Sequence, residues 1–99
     1  MRLSETEQAA IRTAAIESFG QDAEIWLFGS RVDDSKKGGD IDLLIKPASI
    51  SPGQWFARKI QFLGRLEREL GERKIDVILE APNDSRPIVR VARAKGIQL

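Results

Sequence analysis

The segment from Leu27 to Ile45 reads Leu-Phe-Gly-Ser-Arg-Val-Asp-Asp-Ser-Lys-Lys-Gly-Gly-Asp-Ile-Asp-Leu-Leu-Ile. It begins with the end of an apolar strand, turns at Gly29-Ser30, passes through a polar loop without periodicity, and enters a second strand. Side chains alternate between the two faces of a strand, so Asp40 and Asp42 project from one face, roughly 6 to 7 Å apart. One divalent cation could bridge two carboxylates at this spacing.

Apolar periodicity and turn residues predict the elements on either side of this segment. Ser4 and Glu7 form a capping box for a first helix, which Gly20 ends. Strands are expected over residues 23–28, 40–46 and 74–80, with a short edge strand at 97–99. We expect an α/β (α+β) fold over residues 1–99, a single domain in which a small mixed β-sheet has helices packed on one face and is partly open on the other.

Two further helices are predicted in the second half of the chain. One begins at Ser51-Pro52 and ends at Gly71, and the other runs from Pro87 to near Gly96. The apolar stripe of the first of these helices is predicted to consist of Phe56, Ile60, Leu63, Leu66 and Leu70, with Trp55 and Phe62 to one side of it. Trp55 and Phe62 either complete the core or form part of a docking surface for another chain.

Composition restricts the chemistry that the chain can perform. Its 99 residues contain no Cys and no His, which excludes disulfides, thiol nucleophiles, zinc ribbons, imidazole bases and Ser-His-Asp triads. If the protein is an enzyme, its catalytic groups are therefore Asp or Glu, holding a hard cation such as Mg²⁺. The formal net charge of +1 gives no overall bias toward nucleic acid or anionic lipid.

Asp76 lies in the third predicted strand at the same phase as the first two acids. If the two strands are adjacent, three carboxylates share one face, and their mutual repulsion would keep at least one of them protonated unless a cation binds. Two Mg²⁺ ions held there could bind a triphosphate and lower the pKa of an attacking hydroxyl. The alternative is that Asp40 and Asp42 occupy the solvated side of the sheet and Asp76 is a lone polar residue on an edge strand.

Gly29-Ser30 follows the first strand at a position where backbone amides and a hydroxyl could contact a phosphate, although such a dipeptide is also a common turn. Four basic residues near the end of the chain could steer a triphosphate or an acidic partner, or form a solvated helix face; they are Arg86, Arg90, Arg93 and Lys95. No aromatic residues are interleaved with them, which argues against nucleic-acid binding.

The start of the chain has no apolar segment typical of a signal peptide, and no apolar run approaches the length of a membrane span. We therefore expect a cytoplasmic protein without a membrane partner. Whether it forms a homo-oligomer is left open by the sequence.

The spaced motifs Phe28-Gly29-Ser30, Asp40-Ile41-Asp42 and the later Asp76 together resemble the signature of the DNA polymerase β-like nucleotidyltransferase superfamily. More narrowly, the chain resembles the minimal nucleotidyltransferases, which include antitoxins paired with small helical partners of the HEPN type. The resemblance implies the polymerase β-like fold and Mg²⁺-dependent transfer of a nucleoside monophosphate, commonly AMP from ATP, to a hydroxyl of the partner protein.

The same resemblance implies a role for each matching residue. Gly29, Ser30 and Arg31 would bind the phosphates of the nucleotide, and Asp40 and Asp42 would ligate both metal ions. Asp76 would be the third ligand and would help to deprotonate the acceptor hydroxyl. Two other functions remain open: a binding module that neutralises a helical partner by occlusion without catalysis, and transfer of the nucleotide to a small molecule.

Overall fold

The computed structural model describes residues 3–29 and 40–99. The helices are α1 (Glu5–Phe19), α2 (Trp55–Leu70) and α3 (Pro87–Lys95), and the strands are β1 (Glu24–Phe28), β2 (Ile41–Lys46), β3 (Ile75–Leu79) and β4 (Ile97–Gln98). The strands form one mixed sheet in the order β3-β2-β1-β4, in which β2 and β3 are parallel and the other pairs are antiparallel. The predicted fold class is confirmed. Within the described ranges, no helix is long and apolar enough to cross a bilayer.

The helix boundaries follow from local chemistry that the sequence shows. The Ser4 hydroxyl accepts a hydrogen bond from the Glu7 amide at 3.1 Å, and the Ser4 amide donates to the Glu7 carboxylate at 2.9 Å. The predicted capping box is therefore confirmed. Gly20 ends α1 with φ of +111°, a left-handed value that favours glycine. Ser51 precedes the 3-10 turn Pro52–Gln54, which leads directly into α2.

The main core lies between the sheet and the pair of helices α1 and α2. Phe19 of α1 and Phe62 of α2 are both fully buried, and their ring centroids are 5.5 Å apart. Leu43 and Ile45 of β2 belong to the same cluster. The parallel pairing of β2 with β3 requires a crossover connection, and α2 supplies it. This crossover places the starts of both strands at the same end of the sheet.

The third helix covers part of the other sheet face, where the sequence predicts a partly open surface. Val89 and Ala92 of α3 form a second apolar cluster with Leu44, and Trp26 and Ile78 pack against it. Leu44 points away from the main core because its neighbours in β2 point into it. The helices therefore lie on both faces of the sheet. Helices α1 and α2 pack against one face, and α3 buries the apolar Leu44 on the other.

The predicted apolar stripe of α2 is wrong at two positions. Phe56 is 76% exposed and Ile60 is 56% exposed, whereas the buried side of the helix centres on Phe62 and Leu66. At 100° per residue, Ile60 lies about 120° around the helix from Leu66. Within the described sheet, β3 is the edge strand on this side, so no further strand covers the two exposed side chains.

Candidate active site

The predicted acidic residues lie where β1 ends and where β2 and β3 begin. Phe28 of β1 stands opposite Asp42 in the antiparallel pair, and Asp42 stands opposite Asp76 in the parallel pair. Residues directly opposite one another on neighbouring strands share a face of the sheet. The structure therefore places the Asp42 and Asp76 side chains next to each other, on the face that α3 covers in part.

Asp40 is the residue directly before β2, so it lies at the same end of the sheet as Asp42 and Asp76. Its side chain is 46% exposed, and its Oδ2 lies 3.6 Å from Nζ of Lys74. The Ile41 amide donates a hydrogen bond of 3.0 Å to the Lys74 carbonyl, which aligns the start of β2 with the residue before β3. Asp40 and Lys74 therefore face each other across the open end of the two strands.

The electrostatics of the acidic group are centred on Asp42. Partial burial raises the pKa of this carboxyl above its ordinary value, and the nearby charge and hydrogen bonding of Asp76 and the charge of Asp40 raise it further. The positive charge of Lys74 acts in the opposite direction. The fold thus holds carboxylates close enough to disfavour their simultaneous ionisation, and a bound cation would remove this conflict.

Gly29 connects the predicted phosphate-binding turn to the acidic group. Its φ is +78°, and a β-carbon at this position would overlap Oδ2 of Asp42 and stand 3.2 Å from its carboxyl carbon. The Asp42 carboxylate therefore packs directly against the backbone of Gly29, an approach that any larger residue would block. The two other predicted phosphate contacts, Ser30 and Arg31, lie outside the described residues.

Lys74 is the residue at this site that sequence reasoning missed. A signal was present, because Lys74 stands two residues before Asp76 and therefore has the same phase along the chain. The sequence pattern places this lysine only at the start of the strand predicted over residues 74–80. Its side chain is 70% exposed and contacts Asp40, so its charge lies at the mouth of the acidic group.

Arg93 of α3 forms its ion pairs away from the acidic group. The Arg93 guanidinium donates to both carboxylate oxygens of Glu80, at 2.7 and 3.1 Å, and contacts Glu24 at 3.4 Å. It also lies over the Trp26 ring, 5.3 Å from the centroid. Glu24 is at the opposite end of β1 from Phe28, a distance of about 13 Å along the strand. Arg93 thus fastens α3 to the sheet at the end remote from the acids.

The donor set suits a hard cation, although it is not a complete cluster as it stands. Within residues 3–29 and 40–99, no three acidic side chains lie close enough together to hold a metal ion without rearrangement. Asp42 and Asp76 are neighbours, while Asp40 is turned to Lys74. Carboxylate oxygens are the ligands that Mg²⁺ prefers, and a bound cation would offset the burial and the neighbouring negative charges that raise the pKa of Asp42.

The chain matches a protein-family model. The family model described as a nucleotidyltransferase domain matches residues 9–97, a range that contains the three acids, Gly29 and the strands β1, β2 and β3. No curated protein sequence matches the chain significantly.

Proposed function

The chain belongs to the nucleotidyltransferase domain family, and we propose that it transfers a nucleoside monophosphate from a nucleoside triphosphate to a hydroxyl group with the help of Mg²⁺. The observation that carries this proposal is the placement of Asp42. This carboxylate lies against the backbone of Gly29 on one side and beside Asp76 on the other. The glycine of the proposed phosphate-binding turn thereby lies against one of two neighbouring carboxylates that we propose as metal ligands.

In this proposal, each residue acts at a defined atom. Asp40 and Asp42 would hold the cations through their carboxylate oxygens, and Gly29, Ser30 and Arg31 would bind the phosphates. The acceptor oxygen attacks the α-phosphorus, the bond from that phosphorus to the bridging oxygen breaks, and pyrophosphate leaves. Asp76 receives the proton of the hydroxyl, and its exposure at the edge of the group leaves room for an acceptor.

Bound Mg²⁺ would neutralise phosphate charge and lower the pKa of the acceptor hydroxyl. The protein supplies the geometry for this chemistry by fixing Asp42 opposite Asp76 in strand register. Asp40 must leave Lys74 to join them, which its half-exposed position before β2 allows. Occupation by two ions is the arrangement that three carboxylates around one triphosphate favour.

We further propose that the nucleotide is AMP from ATP and that the acceptor is a hydroxyl of a small helical protein of the HEPN type, in a cytoplasmic toxin and antitoxin pair. Support for a protein partner comes from α2, where Phe56 and Ile60 are exposed. Phe56 borders a groove of about 700 Å³, which Trp55, Val77 and Pro82 also line. Exposed apolar side chains next to a groove are typical of protein interaction sites.

A second candidate function is neutralisation of the partner by binding alone. The observation that favours it is the ion pair between Asp40 and Lys74, which leaves the described acids without a preassembled cluster. In this case the apolar surface of α2 would carry the function, and the nucleotide site would be vestigial or regulatory.

Labelling of the partner separates the two functions. The protein is incubated with ATP labelled at the α-phosphate, Mg²⁺ and a candidate small helical partner protein of the HEPN type. The expected result is a labelled partner with the wild-type chain and no label with Asp42→Asn or Asp76→Asn. Asp22→Asn is the matched control, because Asp22 is exposed at the opposite end of the sheet. Undiminished labelling by the Asp42 and Asp76 variants would disprove the assignment, and full inhibition of the partner without labelling would favour the second function.

A further inference from the structure

Lys74 occupies a position from which its ammonium group can reach both the acids and a bound nucleotide. Its backbone is fixed, because its carbonyl accepts the hydrogen bond from Ile41 at the start of β2. Its side chain, in contrast, is 70% exposed and extends over the open end of β2 and β3 to Asp40. A lysine has a flexible four-carbon stem and a compact charge, so the same residue can change partners without any movement of the backbone.

Binding of a metal ion and a nucleotide would change the charges around Lys74. In the described structure, the ammonium group lies 3.6 Å from a carboxylate oxygen of Asp40. A cation ligated by Asp40 would compete for that oxygen and would repel the ammonium group, because like charges at a few ångströms disfavour each other. A triphosphate brings several negative oxygens to the same corner, and these offer the lysine a new partner.

We propose that Lys74 contacts the triphosphate, and that its ammonium group exchanges from Asp40 to a phosphate oxygen when metal and nucleotide bind. This inference rests on the proposed function of the site. Lys74 thereby has two opposite effects: it weakens binding of a metal ion alone, and it strengthens binding of the nucleotide together with the metal. A lysine that only stabilised the start of β3 would produce neither effect.

The other described basic residues support this assignment. Arg73, the preceding residue, is paired with Glu7 of α1, and Arg86 is held by Asp84 and the Leu79 carbonyl. Arg93 binds Glu80 and Glu24 at the remote end of the sheet. Among the residues that the structure describes, Lys74 is the basic side chain in ion-pair contact with the acidic group.

Two binding measurements on the full chain test the exchange. Lys74→Met removes the charge and keeps an apolar stem, Lys74→Arg keeps the charge, and Lys59→Met is the matched control because Lys59 lies on α2 beside the groove at the other end of β3. The first measurement is the affinity for a fluorescent ATP analogue in the presence of Mg²⁺. The second is the affinity for Mn²⁺ without nucleotide, measured by electron paramagnetic resonance.

We expect Lys74→Met to bind the nucleotide about tenfold more weakly, the loss of one charge-assisted contact, and to bind Mn²⁺ about threefold more tightly, the release of one exposed ion pair. Lys74→Arg should restore most of the nucleotide affinity, and Lys59→Met should match the wild type in both measurements. Thermal unfolding of every variant shows that the fold is intact.

The proposal is overturned if Lys74→Met binds the nucleotide as tightly as the wild type while Asp42→Asn loses binding. It is also overturned if Mn²⁺ affinity falls in Lys74→Met, because the lysine would then support the metal site instead of competing with it. Failure of the wild-type chain to bind nucleotide would instead refute the proposed function itself. The two failures are therefore distinguishable.

Discussion

Replacement of Gly29 by alanine gives the sharpest test of how the site is built. Gly29 has φ of +78°, and Gly71, between α2 and β3, has φ of +80°. The two positions differ in their surroundings. A β-carbon at Gly71 would meet nothing within 4 Å, whereas one at Gly29 would overlap Oδ2 of Asp42. Gly71→Ala therefore reports the cost of the backbone conformation, and Gly29→Ala reports that cost and the collision together.

The expected magnitudes follow from these surroundings. Gly71 has φ of +80° and ψ of −172°, a conformation essentially restricted to glycine, and an alanine there costs about 1 to 3 kcal/mol, which is the full expected effect of Gly71→Ala. In Gly29→Ala, the Asp42 carboxylate must also move by about 1 Å to restore ordinary contact. Rotation of that side chain off its preferred rotamer adds about 0.5 to 1.5 kcal/mol. We therefore expect Gly29→Ala to lower the free energy of unfolding by about 1.5 to 4.5 kcal/mol, which is about 0.5 to 1.5 kcal/mol more than Gly71→Ala, measured by urea denaturation.

The same displacement should impair binding. Asp42 cannot both avoid the new methyl group and keep its place beside Asp76, so affinity for a fluorescent ATP analogue with Mg²⁺ should fall by about tenfold or more. Gly71→Ala should retain wild-type affinity. Equal destabilisation by the two alanines, together with unchanged nucleotide affinity in Gly29→Ala, would refute the close packing of Asp42 against Gly29 and the reasoning built on it.

Two further predictions concern the charges of the sheet. Asp42→Asn should raise the midpoint of thermal unfolding at pH 7 in EDTA and leave it unchanged at pH 3. Folding raises the pKa of the Asp42 carboxyl, so this group stabilises the fold while it is protonated, and that contribution is lost as the pH rises through the folded-state pKa. An asparagine stays neutral at both pH values and avoids this loss. A lower unfolding midpoint of the variant at pH 7 would contradict the prediction. Arg93→Met should lower the free energy of unfolding by about 2 to 3 kcal/mol in urea denaturation, because it leaves the buried Glu80 without its partner. The exposed Arg90→Met should change the same quantity by no more than about 0.5 kcal/mol, and equal losses in the two variants would show that the Glu80 pair contributes nothing specific.

Local signals in the sequence predicted most of the secondary structure. Ser4, Glu7 and Gly20 bound α1 through hydrogen bonds and a backbone conformation that involve only near neighbours, and such rules do not depend on the rest of the fold. The strands were also predicted to within one residue at each end. The neighbouring positions of Asp42 and Asp76 followed from one additional condition, the adjacency of β2 and β3, which the structure satisfies.

Features that depend on packing between distant segments could not be predicted in the same way. The exposure of Phe56 and Ile60 depends on where the sheet ends, and hydrophobic spacing within α2 carries no information about that edge. The contact between Gly29 and Asp42 depends on the register of β1 against β2. Lys74 was missed for a third reason, because its contact with Asp40 arises only when two strand ends are brought side by side.

The sheet face that carries the acids is apolar in one row of residues and acidic in the next row along the strands. This arrangement accounts for the raised pKa of Asp42. Trp26, Leu44 and Ile78 form one row of directly opposed residues, which α3 covers. Asp42 and Asp76 form part of the next row along the same face, with the covered row behind them and the open end of the strands in front. An apolar neighbour on one side removes water from Asp42 and raises its pKa.

The position of α3 therefore affects the burial of Asp42, because this helix covers the apolar row directly behind it. Arg93 fastens this helix at the far end through Glu80 and Glu24, so the apolar row stays covered and Asp42 stays partly buried. A shift of α3 toward solvent would hydrate Asp42 and bring its pKa down toward the ordinary value, because burial is the largest cause of the rise. Arg93→Met should therefore lower the pKa of the Asp42 carboxyl relative to the wild type, measured by NMR titration in EDTA with Arg90→Met as the control, and an unchanged pKa of Asp42 would contradict this link between α3 and the acids.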